Sequence, residues 1–198
     1  MTTTTKRSSL KASHYFQKLT ELLLGTEVTT FGTLPHLKIS LDEGMGRAID
    51  LILSTKRKIT KIMLIGNGGS AAIVSHMQND LCDCVGTKAI VFNEAPFLTA
   101  ISNDHGYEAF FEQAIRLWAE KGDLLIAVSS SGGSESILRA VRVAKEKGSN
   151  VITFSGFLPE NPLRQLGDLN FYVPSQTYGL VETAHAALGH SLTDFAAQ

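Results

Sequence analysis

The sequence lacks several features that would each define a class of protein. Its 198 residues contain two cysteines, Cys82 and Cys84, and this spacing supports neither a disulfide framework nor a zinc knuckle. No apolar run approaches the roughly eighteen residues of a membrane span, and the polar N-terminus has no signal-peptide core. We therefore expect a cytoplasmic protein with ordinary packing thiols and no membrane partner.

An excess of charge of either sign is also absent. Eighteen Lys+Arg against nineteen Asp+Glu give a net charge of −1, and no basic cluster resembles a nucleic-acid footprint. We expect small-molecule partners and no nucleic acid. Residues 1–8 should form a disordered tail. No Pro/Gly-rich break divides the chain, which predicts a single domain at 9–198. Within this domain, 9–58 should form N-terminal helices and 61–198 an α/β core.

Two amphipathic segments precede that core. Apolar residues recur at helical spacing from Ser9 or Leu10 to Gly25, and again over 40–54. Helices with this much apolar surface bury it against their own domain or against another subunit. The sequence leaves both arrangements open.

From residue 61 onward, short apolar runs alternate with helical segments. Strands are predicted at 62–65, 89–92, 124–128, 151–154 and 169–173. Helices should end near 84, span about 107–119 and 135–147, and begin again near 180, with a loop before 107. Five such strands predict a parallel, doubly wound α/β sheet. Ligands of these sheets bind outside the carboxyl ends of the strands, near the switch in strand order.

Two donor-rich turns follow two of these strands. After 62–65 comes GNGGS, with Asn67, Gly68, Gly69 and Ser70, and it opens a helix. After 124–128 comes SSSGGS, with Ser129, Ser130, Ser131 and Ser134, and it also opens a helix. Backbone N–H groups, hydroxyls and helix N-termini bind phosphate well. An isolated SSSGGS would suit an ordinary loop with a capping serine, but two such turns at one sheet edge favour a shared phosphate site.

A dinucleotide site is the competing interpretation of the first turn. Gly66, Gly68 and Ala71 satisfy the relaxed dinucleotide-binding pattern, with Glu94 as a possible ribose ligand. That pattern alone is weak. It gives no role to SSSGGS, which a single terminal phosphate would use, so a nicotinamide enzyme ranks well below a phosphate binder.

Histidines and carboxylates on two helices could hold a divalent metal ion. His76 and Asp80 are four residues apart and share one helix face, and Glu182 and His190 lie on the last helix. Two imidazoles and two carboxylates suit zinc or a similar ion. His185 is a competing ligand or a partner of one, while any single histidine could instead be a core residue. The remaining histidines are interpreted as structural, the last of them beside the crevice: His14, His36 and His105.

The two donor-rich turns belong to a longer series of sequence segments whose order can be followed over most of the chain. GNGGSAA, SNDHGYE at 102–108, SSSGGSES, VPS at 173–175 and a last helix with His185 and His190 together resemble the sugar isomerase (SIS) domain. Within it, they resemble the phosphoheptose isomerases. The resemblance implies a flavodoxin-like five-stranded parallel sheet and a homotetramer with sites at subunit interfaces. It also implies conversion of sedoheptulose 7-phosphate to D-glycero-D-manno-heptose 7-phosphate, commonly with zinc.

The resemblance also implies a set of site residues. It places substrate on residues of the loops and the last helix: Asn67, Gly68, Gly69, Ser70, Asn103, Asp104, Ser129, Ser130, Ser131, Ser134 and Glu182. The family's zinc ligands, His, Glu, Gln and His, fall on His76, Asp80, Glu182 and His190. Aspartate for glutamate shortens the reach by about 1.5 Å, and glutamate for glutamine adds a charge. An arginine two residues before the glutamine is Leu180 here.

The implied reaction moves a proton between adjacent carbons through an enediolate. We expect the Asp80 carboxylate to be the base and His190 the acid/base partner. A divalent ion, most simply zinc, should bind through His76, Glu182 and His190. Asp80 is then freer to act as the base.

A regulator is the alternative from another functional class. Such a non-catalytic SIS protein would bind a phosphosugar or a protein partner without turning it over. It can lose both acid/base residues, whereas this chain keeps a carboxylate at 80 and a histidine at 190. This difference favours the enzyme.

Overall fold

The computed structural model describes residues 11–31 and 37–198, in which seven strands and seven α-helices are numbered in chain order. The strands are β1 Glu27–Thr30, β2 Leu37–Ile39, β3 Lys61–Gly66, β4 Lys88–Val91, β5 Leu124–Ser129, β6 Asn150–Ser155 and β7 Leu169–Tyr172. The helices are α1 Ala12–Leu24, α2 Leu41–Lys58, α3 Gly69–Asp80, α4 Ala95–His105, α5 Phe110–Trp118, α6 Glu135–Glu146 and α7 Tyr178–Ala196. The predicted tail at 1–8, the predicted helix start at 9 or 10, and His36 lie outside the described residues.

All seven strands form one sheet in the order β2-β1-β7-β6-β5-β3-β4. The five predicted strands, β3 to β7, are parallel to one another. Numbered among themselves, they run 2-1-3-4-5, which is the flavodoxin-like order. The predicted doubly wound parallel sheet is therefore confirmed. Its switch in strand order falls between β3 and β5, the strands that precede the two donor-rich turns.

The prediction of a five-stranded sheet was incomplete. β1 pairs antiparallel with both β2 and β7, which extends the sheet by two strands within the segment predicted as N-terminal helices. These strands have four and three residues, too few for a clear period-2 pattern. An ion pair also links β1 to the segment between β6 and β7. In it, the Arg164 guanidinium lies 2.7 Å from the Glu27 carboxylate.

Helix boundaries were predicted well where the chain carries a capping signal. α1 ends at Gly25, and the Ser40 hydroxyl accepts a hydrogen bond from Glu43 N at the start of α2. The stretch predicted as a loop after β4 is instead helix α4, with a proline in its first turn. The segment predicted as helix 107–119 begins with a 3₁₀ turn and becomes α-helical only at Phe110.

The central strands of the sheet, β3, β5, β6 and β7, are buried on both faces. Ile62 and Leu64 of β3 pack with α2, α3 and α7, whereas Met63 and Ile65 pack with α5 and α6. Consecutive side chains therefore enter two different hydrophobic layers, which explains the continuous apolar run in the sequence. In the part of the chain described here, no helix is both long enough and apolar enough to span a membrane.

Candidate functional site

The two donor-rich turns meet at one crevice of about 250 Å³ above the switch in strand order. Residues from both turns line it together with two side chains from the start of α7: Asn67, Gly68, Gly69, Ser70, Ser129, Ser130, Ser131, Ser134, Tyr178 and Glu182. The two turns therefore lie together at the carboxyl ends of the strands, as the sheet topology predicted. A larger groove of about 800 Å³ lies at the opposite edge, beside α2 and the first residues of β6 and β7.

The side chain of Asn67 joins the turns to each other. Its Nδ2 donates to Ser134 Oγ at 2.8 Å and to Ser136 Oγ at 3.0 Å. Its Oδ1 accepts a hydrogen bond from the Tyr107 hydroxyl at 2.6 Å. Every strong hydrogen-bonding group of the amide therefore has a protein partner, and Asn67 holds the crevice in shape.

The serine turn offers donors that the fold does not use. Ser134 occupies the N-cap position of α6, yet its side chain makes no capping hydrogen bond. The simple capping interpretation of this serine therefore does not hold. Ser130 is 5% exposed, and its Oγ has no hydrogen-bond partner in the described structure. A buried hydroxyl without a partner costs free energy, so such a group at a crevice wall suits a ligand that accepts hydrogen bonds.

Two glycines of the donor-rich turns allow close contacts. Gly132 adopts φ +64, and a Cβ there would collide with the Asn161 side chain. At Gly69, the first residue of α3, a Cβ would lie 2.5 Å from Glu182 Oε2. The Glu182 carboxylate therefore lies directly against the N-terminal turn of α3, where the helix dipole favours negative charge.

A second group of polar side chains lies further along α3 and α7. The ligand atoms of His76, Asp80 and His190 all lie within 4.8 Å of one another. Asp80 Oδ1 is 3.6 Å from His76 Nε2, and Asp80 Oδ2 is 3.3 Å from His190 Nδ1. The two imidazole rings meet edge to face at 4.7 Å. We call these three residues the imidazole–carboxylate group.

Close packing of α3 against α7 assembles this group. Gly189 faces Met77, and a Cβ at position 189 would lie 2.8 Å from the Met77 sulfur. This contact brings the following residue, His190, next to His76. The Asp80 side chain is 15% exposed, whereas those of His76 and His190 are 61% and 50% exposed. The group therefore has a partly buried carboxylate and two accessible imidazoles.

The donor set fits a divalent ion. Two imidazoles and a carboxylate, each offering one atom within a few ångströms of the others, are borderline ligands of the kind that zinc accepts, and such sites keep a position open for substrate. Glu182 is not a member of the group. The structure thus brings together three of the four predicted ligands and places the fourth in the crevice.

Several other candidate residues lie apart from both features. Asn103 and Asp104 are exposed near the end of α4, where Asn103 Nδ2 donates to Asp104 Oδ1 at 2.8 Å. They are not among the residues that line the crevice. His14 and His105 are exposed. Cys82 and Cys84 are free thiols, but they are exposed rather than packed in the core.

His185 is a core residue and not a member of the imidazole–carboxylate group. It is 1% exposed, and its Nε2 donates to the Ser155 carbonyl at 3.1 Å. Its ring packs edge to face on Phe154. Burial lowers the pKa of His185 to about 4, because the imidazolium would lose its hydration, and the hydrogen bond to Ser155 acts in the opposite direction.

This buried histidine should make folding stability fall in mild acid. The unfolded chain takes up a proton near the ordinary pKa of 6.5, while the folded chain resists it down to about 4. The contribution of His185 to the free energy of unfolding is therefore fully present above pH 6.5. It is lost as the pH falls from 6.5 to 4, by an amount on the order of 3 kcal/mol. Urea unfolding at a series of pH values should show this slope, and His185→Leu should flatten it. An equal slope in both proteins would contradict the assignment.

Sequence reasoning missed two aromatic residues at the site. Tyr178 lines the crevice beside Glu182. Tyr107 bonds Asn67 and lines a second cavity of about 270 Å³ behind the GNGGS turn. Tyr107 belongs to the SNDHGYE stretch, so its neighbourhood was noticed, but a pairing across forty positions leaves no local signal.

Comparison with known proteins identifies the family of this chain. A family model for the SIS domain matches residues 32–156. The chain therefore belongs to the SIS domain family, and the resemblance inferred from its loops is confirmed.

More specific similarities lie within that family. The chain is 31% identical to the phosphoheptose isomerase of Aliarcobacter butzleri over 166 residues, which cover 81% of this chain and 87% of the relative. It is 39% identical to the phosphoheptose isomerase of Burkholderia pseudomallei over 136 residues, 66% and 68% of the two chains. The structure of the phosphoheptose isomerase GmhA from Neisseria gonorrhoeae superposes with a TM-score of 0.79 at 26% identity, over 93% of this chain and 95% of the other.

Proposed function

We propose that this protein is an aldose–ketose isomerase that converts sedoheptulose 7-phosphate to D-glycero-D-manno-heptose 7-phosphate through an enediolate. The observation that carries the proposal is the presence of a donor-rich crevice at the starts of α3, α6 and α7 together with an imidazole–carboxylate group further along α3 and α7. The names of the relatives support the choice of substrate.

The separation of the two features suits a long sugar phosphate. Glu182 marks the crevice and His190 the imidazole–carboxylate group, and both lie on α7. At 1.5 Å per residue, they are about 12 Å apart along the helix axis. A seven-carbon chain that ends in a phosphate spans roughly 10 Å when extended, with C–C bonds of about 1.5 Å. A sugar phosphate with its phosphate in the crevice therefore needs a chain of about this length for its carbonyl end to approach the group, and a three-carbon substrate is too short.

The crevice would hold the phosphate mainly at the serine turn. Ser130 and Ser134 present hydroxyls that the fold leaves free to donate, and the N-terminus of α6 opens at the same place. Glu182 covers the competing N-terminus of α3 with its own negative charge. This carboxylate would accept hydrogen bonds from sugar hydroxyls near the phosphate end of the substrate.

The imidazole–carboxylate group would carry the proton transfers. The Asp80 carboxylate takes the proton from the carbon next to the carbonyl and returns it to the neighbouring carbon. His190 turns Nδ1 towards Asp80, which leaves its other ring nitrogen to move a proton between the two substrate oxygens. The phosphate supplies binding energy remote from the reacting carbons.

A divalent ion such as zinc, held by His76, Asp80 and His190, would polarise those oxygens and stabilise the developing negative charge. The predicted ligand Glu182 is the less favourable choice, because its carboxylate lies against Gly69. A carboxylate has two oxygens, so Asp80 can occupy both roles suggested by the sequence.

Homotetrameric assembly, with sites at subunit interfaces, remains part of the proposal. Large apolar side chains on α1 are exposed, with Phe16 at 62% and Leu24 at 76%, and surfaces of this kind often meet another subunit. Asn103 and Asp104, which do not line the crevice of their own chain, would then be available to a neighbouring one. Light scattering tests the assembly, and a monomer at micromolar concentration would contradict it.

The decisive experiment is incubation of the protein with a panel of ketose phosphates, with and without added zinc. We expect exchange of a carbon-bound proton with solvent and formation of an aldose phosphate from sedoheptulose 7-phosphate. Binding of that sugar without exchange or product would favour the regulator. Neither binding nor turnover of any phosphosugar would contradict the proposed function as a whole.

A further inference from the structure

We propose that Tyr107 is a positioning residue of the phosphosugar site, which acts through Asn67 to keep the Ser134 hydroxyl free to donate to the phosphate. The inference rests on the proposed function and concerns a residue to which neither the sequence pattern nor the comparisons give a role.

The chemistry starts with the Asn67 amide, which has an acceptor end and a donor end. Tyr107 donates to Oδ1 at 2.6 Å, while Nδ2 donates to Ser134 Oγ and Ser136 Oγ. An amide can rotate by half a turn and exchange these ends. The tyrosine hydroxyl favours the orientation in which Oδ1 faces it. In the opposite orientation the hydroxyl and Nδ2 would be two donors facing each other, unless the hydroxyl turned away.

The orientation of the amide decides what Ser134 can do. With Nδ2 towards it, Ser134 Oγ accepts a hydrogen bond and keeps its own hydrogen for another partner. With Oδ1 towards it, the Ser134 hydroxyl would donate to Asn67 instead. Because Ser134 makes no capping bond and lines the crevice, its free hydrogen is available to a bound phosphate.

The surroundings of Tyr107 suit this role. Its side chain lines the second cavity, on the far side of the GNGGS turn from the serine residues. Partial burial raises the pKa of Tyr107 above its ordinary value, so the phenol keeps the proton that it donates. Tyr107 does not line the phosphate crevice itself, which distinguishes positioning from direct contact.

The test replaces Tyr107 with phenylalanine, which removes only the hydroxyl. We expect the affinity for inorganic phosphate and for sedoheptulose 7-phosphate, measured by calorimetry, to fall about threefold to tenfold, the effect of one neutral hydrogen bond. KM should rise while kcat changes little. Tyr172→Phe is the matched control, because it also removes a donating hydroxyl, in this case one bonded to the Phe157 carbonyl, and it should leave both affinities unchanged.

A double-mutant cycle identifies the route of the effect. In a Ser134→Ala background, Tyr107→Phe should change the affinity little, since the hydroxyl that it positions is gone. An equal loss in both backgrounds would overturn the proposed route through Ser134. Unchanged affinity in Tyr107→Phe, with the wild type binding normally, would overturn this inference alone. A wild type that binds no phosphorylated ligand would instead contradict the proposed function.

Discussion

Asp80→Asn should lower kcat for sedoheptulose 7-phosphate by about 100-fold or more, which is the scale of a lost acid/base group. The substitution keeps the size of the side chain but removes the negative charge between two imidazoles, at 3.3 Å and 3.6 Å. It should also weaken the binding of zinc by at least about tenfold, because it replaces a charged ligand by a neutral amide.

Glu182→Gln is the matched control, since it makes the same chemical change on the other helix. Glu182 lies in the crevice and outside the imidazole–carboxylate group, so this variant should keep the zinc affinity of the wild type. Steady-state kinetics and metal titration of the two variants distinguish their roles. Retained zinc in Asp80→Asn and lost zinc in Glu182→Gln would restore the ligand set inferred from the sequence.

The different positions of Glu182 and His190 follow from helix geometry. His76 and Asp80 are four positions apart, which turns the helix by about 40° beyond one full turn and keeps them on one face. Glu182 and His190 are eight positions apart, which leaves them about 80° apart around the helix and about 12 Å apart along it. Sequence spacing therefore predicted the pair on α3 correctly. Sequence spacing does not tell which end of α7 meets which part of α3. That arrangement depends on tertiary packing, such as the contact between Gly189 and Met77.

The parallel core was predictable because its strands are buried on both faces. Residues such as Ile62 and Met63 enter opposite hydrophobic layers, so the strand appears in the sequence as an unbroken apolar run. Once the parallel sheet was inferred, the meeting of the two turns at one edge followed from topology. β1 and β2 could not be found in the same way, because only pairing with β7 and with each other stabilises such short segments.

Links between distant side chains were the least predictable part of the site. Asn67 was expected to contact substrate, and its type and position gave no sign that Tyr107, Ser134 and Ser136 would use its amide. His185 shared a helix with two site residues, yet its register directs it into the core. In both cases the hydrogen-bond partner is set by how helices pack on the sheet.

Ser131→Leu should lower the affinity for inorganic phosphate and for sedoheptulose 7-phosphate by 100-fold or more, which corresponds to about 2.7 kcal/mol. Ser131 is an exposed residue that lines the crevice at the serine turn. A leucine there would extend into the space that the phosphate needs and would place an apolar group against a charged ligand. Because the position is exposed, the thermal midpoint should change by no more than a few degrees.

Ser131→Ala provides the matched comparison, since it removes the hydroxyl without filling the crevice. The Ser131 Oγ accepts a hydrogen bond from Gly133 N at 3.3 Å, so its own hydrogen remains available to a ligand. Loss of one hydrogen bond to a charged phosphate should weaken binding by roughly 10-fold to 100-fold, less than the leucine does. Calorimetry at fixed ionic strength measures both values. Unchanged affinity in Ser131→Leu, with the protein folded, would remove the phosphate from the serine turn and move it to another part of the molecule.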